Sequence, residues 1–551
     1  MIPDLWYQNA VVYNIDLESF FDANGDGVGD FAGLVARLDY IQSLGVDTIW
    51  LAPFQPTPNK DNGYDISDYY GVDPRHGSSG DFVELIHEAA DRGIKVMMDL
   101  VANHTSDQHP WFQKSRSDPD SPYRDWYVWR DKRPDDWDQG MVFPGFQKAT
   151  WSRDEKAKAW YFHRFYDFQP DLNMENPEVR REIRRIIGYW IQQGVAGFRV
   201  DAVPFVLEKP DPGDGEPKTI FDYLYEFRDF QQWRRGDSIL FGEANVLPKD
   251  AKRYFGKRGS GLHLMFNFWV NQRLFYALAS GEVGPLVQAL RDTDGTPFVS
   301  QWGHFLRNHD ELDLGRLELE QQEIVFSRFG PEEAMQIYGR GIRRRLAPML
   351  GNRQHLELAW SLLFALPGTP VIYYGDEIGM GEDLSLSQRT AVRTPMQWSS
   401  QRNAGFSTAE KLIRPVVSEG PYDYRQVNVA DQKRDPSSLL RWVMQMIRLR
   451  KECVEIGSGS CTILRSGSPH VIALRYDLEG KSVVTFHNAS EQSVEVSISA
   501  DDAGGSTMVS LLNRDDSHAS EGKHRLRLDG YGYLWFRSSG SYLLPMSSPR
   551  T

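Results

Sequence analysis

The chain has 551 residues, 40% of them hydrophobic and 25% charged, which is enough for several domains around a large core. Its 62 basic and 76 acidic residues leave a net charge of −14, which repels phosphate backbones and anionic lipid and argues against nucleic-acid or membrane partners. Cys453 and Cys461, the only two cysteines, cannot form a disulfide framework and read as two thiols or one local bridge. The N-terminal stretch MIPDLWYQNAVVYNID lacks the basic and apolar regions of a signal peptide, and no window of about 18 residues is apolar throughout. A soluble, cytoplasmic protein is expected, and the sequence leaves a homo-oligomer open.

Taken in chain order, apolar or β-branched runs predict strands at Ala10–Asp16, Thr48–Pro53, Lys95–Val101, Gly197–Ala202, Ile239–Ala244, Leu264–Phe268, His304–Asn308 and Pro370–Glu377. Amphipathic patterns between them predict helices at Phe31–Leu44, Asp81–Arg92, Pro177–Gln193, Asp222–Arg235 and His355–Leu366. Asn176 before Pro177 is a good helix start. Eight strands alternating with helices predict a parallel (β/α)₈ barrel, an α/β TIM-barrel fold. A doubly wound sheet is the alternative, but no strand–GxGxxG–helix unit is present. Residues 1–104 form the first part of the barrel domain in this reading, and 105–170, rich in Trp, Tyr, Asp and Pro, an inserted domain after the third strand. Residues 171–450 complete the barrel, with insertions near 311–350 and 379–427. After residue 450 the alternating runs Val471–Tyr476, Ser482–His487, Val494–Ile498, His524–Leu528 and Gly532–Phe536 predict an antiparallel β-sandwich over 451–551.

In a parallel barrel the active site lies where strands end. Polar clusters fall there: Asp99 to His104 after the third strand, Arg199 and Asp201 on the fourth, Glu243 after the fifth, His309 and Asp310 after the seventh. Period-two alternation turns Arg199 and Asp201 to the same inward face, and the arginine is expected to keep that carboxylate ionised, as a nucleophile requires. Glu243 follows the apolar Ile239–Gly242, where desolvation raises its pKa and suits a general acid/base. His309 and Asp310 are neighbours, so both can face inward only where the strand frays. A nucleophilic Asp, an acid/base Glu and a second Asp with histidines to grip hydroxyls form a retaining glycosidase set. Aromatic residues, 13% of the chain, also suit sugar faces.

Asp22, Asn24, Asp26, Val28 and Asp30 lie in a run that alternates oxygen donors with glycines, which suits Ca²⁺ or Mg²⁺ in a structural site. An ordinary Asp/Gly-rich turn is the alternative. His104 and His109 have neither helical spacing nor a nearby thiolate for zinc. No organic cofactor is expected.

With these residues in place, the sequence resembles the α-amylase superfamily, glycoside hydrolase family 13, over nearly its whole length. DLVANHTS from Asp99, QPDLN from Gln169, GFRVDAV from Gly197, GEAN from Gly242 and FLRNHDE from Phe305 look like its signature regions. The resemblance implies Asp201 as nucleophile, Glu243 as acid/base and Asp310 as transition-state stabiliser, with Arg199, His104 and His309 binding the sugar at the cleaved bond. DNGYDI from Asp61 and VRTPMQW from Val392 resemble the branch of α-glucosidases and trehalose synthases. That likeness implies that Asp61 and Arg393 meet at the closed end of the pocket and that Tyr64 stacks on the sugar. It implies a small α-1,4-linked saccharide as partner and interconversion of maltose and trehalose, with exo-acting α-glucosidase hydrolysis or transfer as the alternative. A remoter alternative is an inactive amylase-like binding subunit. Two segments depart from the family pattern: DLSLSQRTAV from Asp383, and FYDFQPDLN from Phe165, which lacks a histidine often found there.

Overall fold

The structure, a computed structural model, describes residues 5–208, 219–512 and 515–539. Eight parallel strands close into a barrel: β1 (Val12–Ile15), β2 (Thr48–Leu51), β3 (Lys95–Leu100), β4 (Gly197–Val200), β5 (Ile239–Gly242), β6 (Leu264–Phe266), β7 (Gln301–Phe305) and β8 (Thr369–Tyr373). Each pairs with its neighbours in sequence, and β8 pairs with β1 to close the ring. Seven strands lie within the expected runs to about a residue at their starts, or two for β1. The seventh starts three residues earlier, because Gln301 and Trp302 pair with Leu264 and Met265 on β6 and so belong to the ladder.

Alternation along the strands sorts the side chains. Val12, Trp50, Met97, Phe241, Phe266 and Phe305 fill the barrel interior, while Ile49, Leu51, Phe198 and Val200 face the surrounding helices. Gly303 makes room for this packing: a Cβ there would lie 2.3 Å from the ring of Phe241. Caps set the helix starts. Asn176 accepts from the Glu178 amide ahead of Pro177–Gln192, and Ser78 and Asp81 form a capping box. The helix expected over Phe31–Leu44 is split into Phe31–Ala36 and Leu38–Leu44. Arg37 leaves helical geometry at φ −110° and ψ 3°, its guanidinium laid over the rings of Phe21 and Trp398.

Between β3 and β4 the chain forms a helix, Pro110–Ser117, and a small antiparallel sheet of residues 129–130, 151–154 and 159–162. Between β7 and β8 lie the short strands 312–313, 336–337 and 341–342 and the helix Leu319–Phe329. At the C-terminus a six-stranded antiparallel sheet faces a two-stranded one across a core that includes Val471, Ala473, Phe486 and Phe536. The alternate residues Ile472, Leu474 and Tyr476 join the main core instead, and Trp535 donates to Ser361 of the helix Arg353–Ala365 at 2.8 Å. Cys453 and Cys461 are free thiols, one buried and one exposed. Among the described residues no helix is long and apolar enough to cross a membrane.

Candidate active site

The C-terminal ends of the barrel strands open into a cavity of about 390 Å³, lined by Asp61, Tyr64, His104, Asp201, Glu243 and Asp310 among others. Its floor is organised by Arg199. Register sets Asp99 on β3 beside Arg199 on β4, both inward. The Arg199 guanidinium, 1% exposed, donates Nη1 to Asp99 Oδ1 at 2.7 Å and to Asp201 Oδ1 at 2.5 Å, and its Nη2 lies 2.8 Å from Glu243 Oε2. One buried cation therefore gathers three carboxylates from three adjacent strands. Immediately after Asp201 the backbone turns through Ala202 in the left-handed region (φ +47°), and the Ala202 amide donates to Glu243 Oε2 at 3.1 Å. That turn presents Asp201 and Glu243 together at the cavity.

Electrostatics refine the sequence reading at Asp201. Burial raises its pKa to about 6 and outweighs Arg199, so the arginine limits the shift without cancelling it. Asp99 is likewise raised to about 6 by burial against the same arginine. Burial also raises Glu243, again partly countered by Arg199. At neutral pH Asp201 is largely ionised, as a nucleophile must be, and Glu243 is shifted toward the protonated form of an acid.

Asp310 has the opposite balance. Burial pushes it up, but Arg389 at 2.7 Å, Arg393 at 3.1 Å and His309 at 3.1 Å hold it well below the ordinary range. Burial lowers the pKa of His309 itself, partly countered by its contact with Asp310. Tyr64 stacks on the His309 ring at 5.6 Å, with its hydroxyl 2.9 Å from His309 Nε2 and 3.2 Å from Asp99 Oδ2. His104, lowered to about 4 by burial, donates from Nε2 to the Tyr64 carbonyl at 3.1 Å, which fixes its tautomer.

Two sequence expectations need correction. Arg393 and Asp61 do not pair: Arg393 sits behind Asp310, donating to it and to the His309 carbonyl at 2.8 Å. The Asp61 carboxylate pairs instead with Arg389 at 3.1 Å and accepts from Gln169 at 3.0 Å. Arg389, on the turn Gln388–Val392, precedes Arg393 by four residues and lines the cavity, where Arg393 is set back behind Asp310. Arg199 in turn faces the carboxylates and lies behind the cavity wall, because its register partner Asp99 draws it there. Sequence reading also missed Glu311, a cavity-lining carboxyl raised to about 7 by burial, and the aromatic wall of Phe143 and Phe165. Adjacency to Asp310 was the available signal for Glu311. Phe143 had none.

The Asp22–Asp30 loop is folded by its own hydrogen bonds. Asp22 accepts from the amides of Gly25 and Gly27, Asn24 from Asp26, and Asp26 from Val28. Asp30 turns to cap the helix Phe31–Ala36, accepting from the Gly33 amide. The donors are hard oxygens of the kind Ca²⁺ takes. Among the described residues no group of three or more His, Cys, Asp or Glu side chains is placed to hold a metal ion, so a cation here would rely on the Asn24 side chain and the Val28 backbone as well as on aspartates.

Comparison with known proteins agrees with this geometry. The alpha amylase catalytic domain pattern matches residues 14–459, and a sucrose hydrolase-like C-terminal domain pattern matches 480–537. A trehalose synthase of Thermus thermophilus is 43% identical over 97% of this chain, which spans about half (55%) of that protein. A trehalose synthase of Pimelobacter sp. (strain R48) is 40% identical, over 97% of this chain and 96% of its own length. Among solved structures, the alpha-glucosyl transfer enzyme XgtA superposes with a TM-score of 0.80 at 27% identity, covering 98% of this chain and all (100%) of that one. The chain belongs to the α-amylase family, glycoside hydrolase family 13.

Proposed function

We propose that the protein is a retaining α-glucosyl enzyme that interconverts maltose and trehalose. The observation that carries the chemistry is the Arg199 clamp, which holds Asp201 and Glu243 side by side at the floor of the cavity. Asp201 attacks C1 of the glucosyl unit, the C1–O bond breaks, and Glu243 gives its proton to the leaving oxygen. In the second half, the anomeric hydroxyl of the released glucose attacks C1, its proton passes to Glu243, and Asp201 leaves as carboxylate. Water in the same role gives hydrolysis. Asp310 accepts sugar hydroxyls and stabilises the positive charge that develops at C1, while Tyr64 and His309 offer a flat wall to the ring. Two trehalose synthases of about 40% identity along nearly the whole chain favour the isomerase over a simple α-glucosidase.

Incubating the purified protein with maltose and resolving products over time tests this reading. Trehalose accumulating with little free glucose is the expected result. Glucose alone would replace the isomerase with an exo-acting α-glucosidase, and no turnover would leave a saccharide-binding scaffold.

We also propose a structural Ca²⁺, or Mg²⁺, on the loop of Asp22, Asn24, Asp26, Val28 and Asp30, supported by its alternating oxygen donors. Stripping with chelator and adding back Ca²⁺ should restore a higher Tm. An unchanged Tm would show that the loop's own hydrogen bonds suffice.

A further inference from the structure

Two adjacent residues of the turn Gln388–Val392 have different partners: Arg389 lines the cavity, and Gln388 bonds to an aromatic layer packed behind the cavity-lining Phe143. Arg389, with a side chain 13% exposed, bridges Asp310 Oδ1 at 2.7 Å and Asp61 Oδ1 at 3.1 Å. Gln388 Oε1 accepts from the hydroxyl of Tyr166 at 2.8 Å and from that of Tyr338 at 3.2 Å. Tyr166 comes from the segment between β3 and β4, and Tyr338 from the insertion between β7 and β8. The two tyrosine rings flank Phe143, with centroids 5.1 and 5.0 Å away, and the Arg389 guanidinium lies 4.9 Å from the centre of that same ring. The pocket carboxylates Asp61 and Asp310 and the aromatic layer that backs Phe143, here called the roof, are thus joined by two adjacent residues.

The backbone at this junction is strained. Gln388 has φ +47° and Tyr338 φ +56°, a region that costs a residue with a side chain about 1–2 kcal/mol. Both partners of the Gln388–Tyr338 hydrogen bond are therefore held in place by their surroundings. Sugar hydroxyls donate to carboxylates, and the oxygens Arg389 holds on Asp61 and Asp310 are among those the cavity offers them. Filling the pocket therefore changes what Arg389 grips, and its neighbour grips the roof.

We propose that the Gln388–Arg389 turn links occupancy of the glucosyl pocket to closure of the Tyr166–Tyr338 roof, and so sets how much glucosyl-enzyme returns to retained glucose and how much is lost to water. The partition rests on the isomerase reading above. In either branch the C1–Asp201 bond breaks and one proton passes from the attacking hydroxyl to Glu243. Only the owner of that hydroxyl differs.

The test uses the full chain with Gln388→Gly, Gln388→Glu and the double variant Tyr166→Phe/Tyr338→Phe, read by Tm, products from maltose, and hydrolysis of p-nitrophenyl α-glucoside. Gln388→Gly relieves the strain, so Tm should hold or rise, while the glucose share of the products rises several-fold and aryl glucoside turnover stays within about twofold. Gln388→Glu keeps an acceptor oxygen and should restore the parent partition. The double Phe variant should leak as the Gly variant does. An unchanged partition in both the Gly and double Phe variants overturns the proposal. So does a Gly variant that loses Tm and both activities together. If the parent enzyme releases only glucose, the isomerase reading falls, but the link is still readable: Gln388→Gly should then raise KM for maltose several-fold at constant kcat, and an unchanged KM overturns it.

Discussion

Replacing Arg199 by methionine removes the one cation that serves Asp99, Asp201 and Glu243. Asp99 and Asp201 have pKa values of about 6 with the arginine present, so at pH 7 each is ionised, with its protonated form only about 1.4 kcal/mol higher. Without the arginine both carboxyls escape an unpaired buried charge by taking up a proton, which caps the loss at that figure for each. The two together predict a deficit of about 3 kcal/mol at pH 7, at the lower end of what a broken buried ion pair usually costs. The pH dependence is the sharper consequence. Both folded pKa values, about 6, lie above the ordinary value of 3.8, so these groups destabilise the fold fully above about pH 6, and that penalty declines progressively as pH falls from there toward 3.8. Below about pH 6 the parent protein has already largely protonated them, and the variant loses little more through them. The assay is the difference in Tm between Arg199→Met and parent at pH 7.5 and at pH 5, in matched salt. The gap should shrink at pH 5. A gap that is unchanged or wider there would refute the three-carboxylate account of Arg199.

Asp201→Asn should lower turnover of maltose on the order of 10³-fold or more with the fold retained, measured by product formation against Tm. Unchanged turnover would sink the covalent mechanism. Glu243→Gln should be nearly as slow on maltose but recover much of its first step on p-nitrophenyl α-glucoside, whose leaving group needs no proton, seen as a burst of nitrophenol. The rate should fall as pH drops below about 6, where Asp201 takes up its proton, and fall again at high pH, where Glu243 loses the one it must donate. A kcat/KM profile flat from pH 5 to 7 would contradict the assignment of Asp201 as nucleophile.

What this chain's local sequence decides is the barrel and which polar side chains stand at the ends of its strands. Short β-branched runs, caps such as Asn176 and the alternation at Arg199 and Asp201 act over a few residues, so strand positions and inward faces were readable without any partner. The signature segments likewise placed Asp201, Glu243 and Asp310 at strand ends, where a parallel barrel puts its chemistry. Tertiary structure decided everything that depends on residues distant in the chain. The pKa of Asp201 follows from burial outweighing Arg199, and no local pattern measures burial. Asp61 lies far from both Arg389 and Arg393 in sequence, and only the path of the turn Gln388–Val392 determines which of the two it meets. At the break the Arg37 guanidinium lies over aromatic rings at positions 21 and 398, and the roof is assembled from Phe143, Tyr166 and Tyr338 in two separate insertions. Backbone periodicity is set by near neighbours and is therefore written in the sequence. Which charge faces which, and how dry that pairing is, is set by packing between segments hundreds of residues apart.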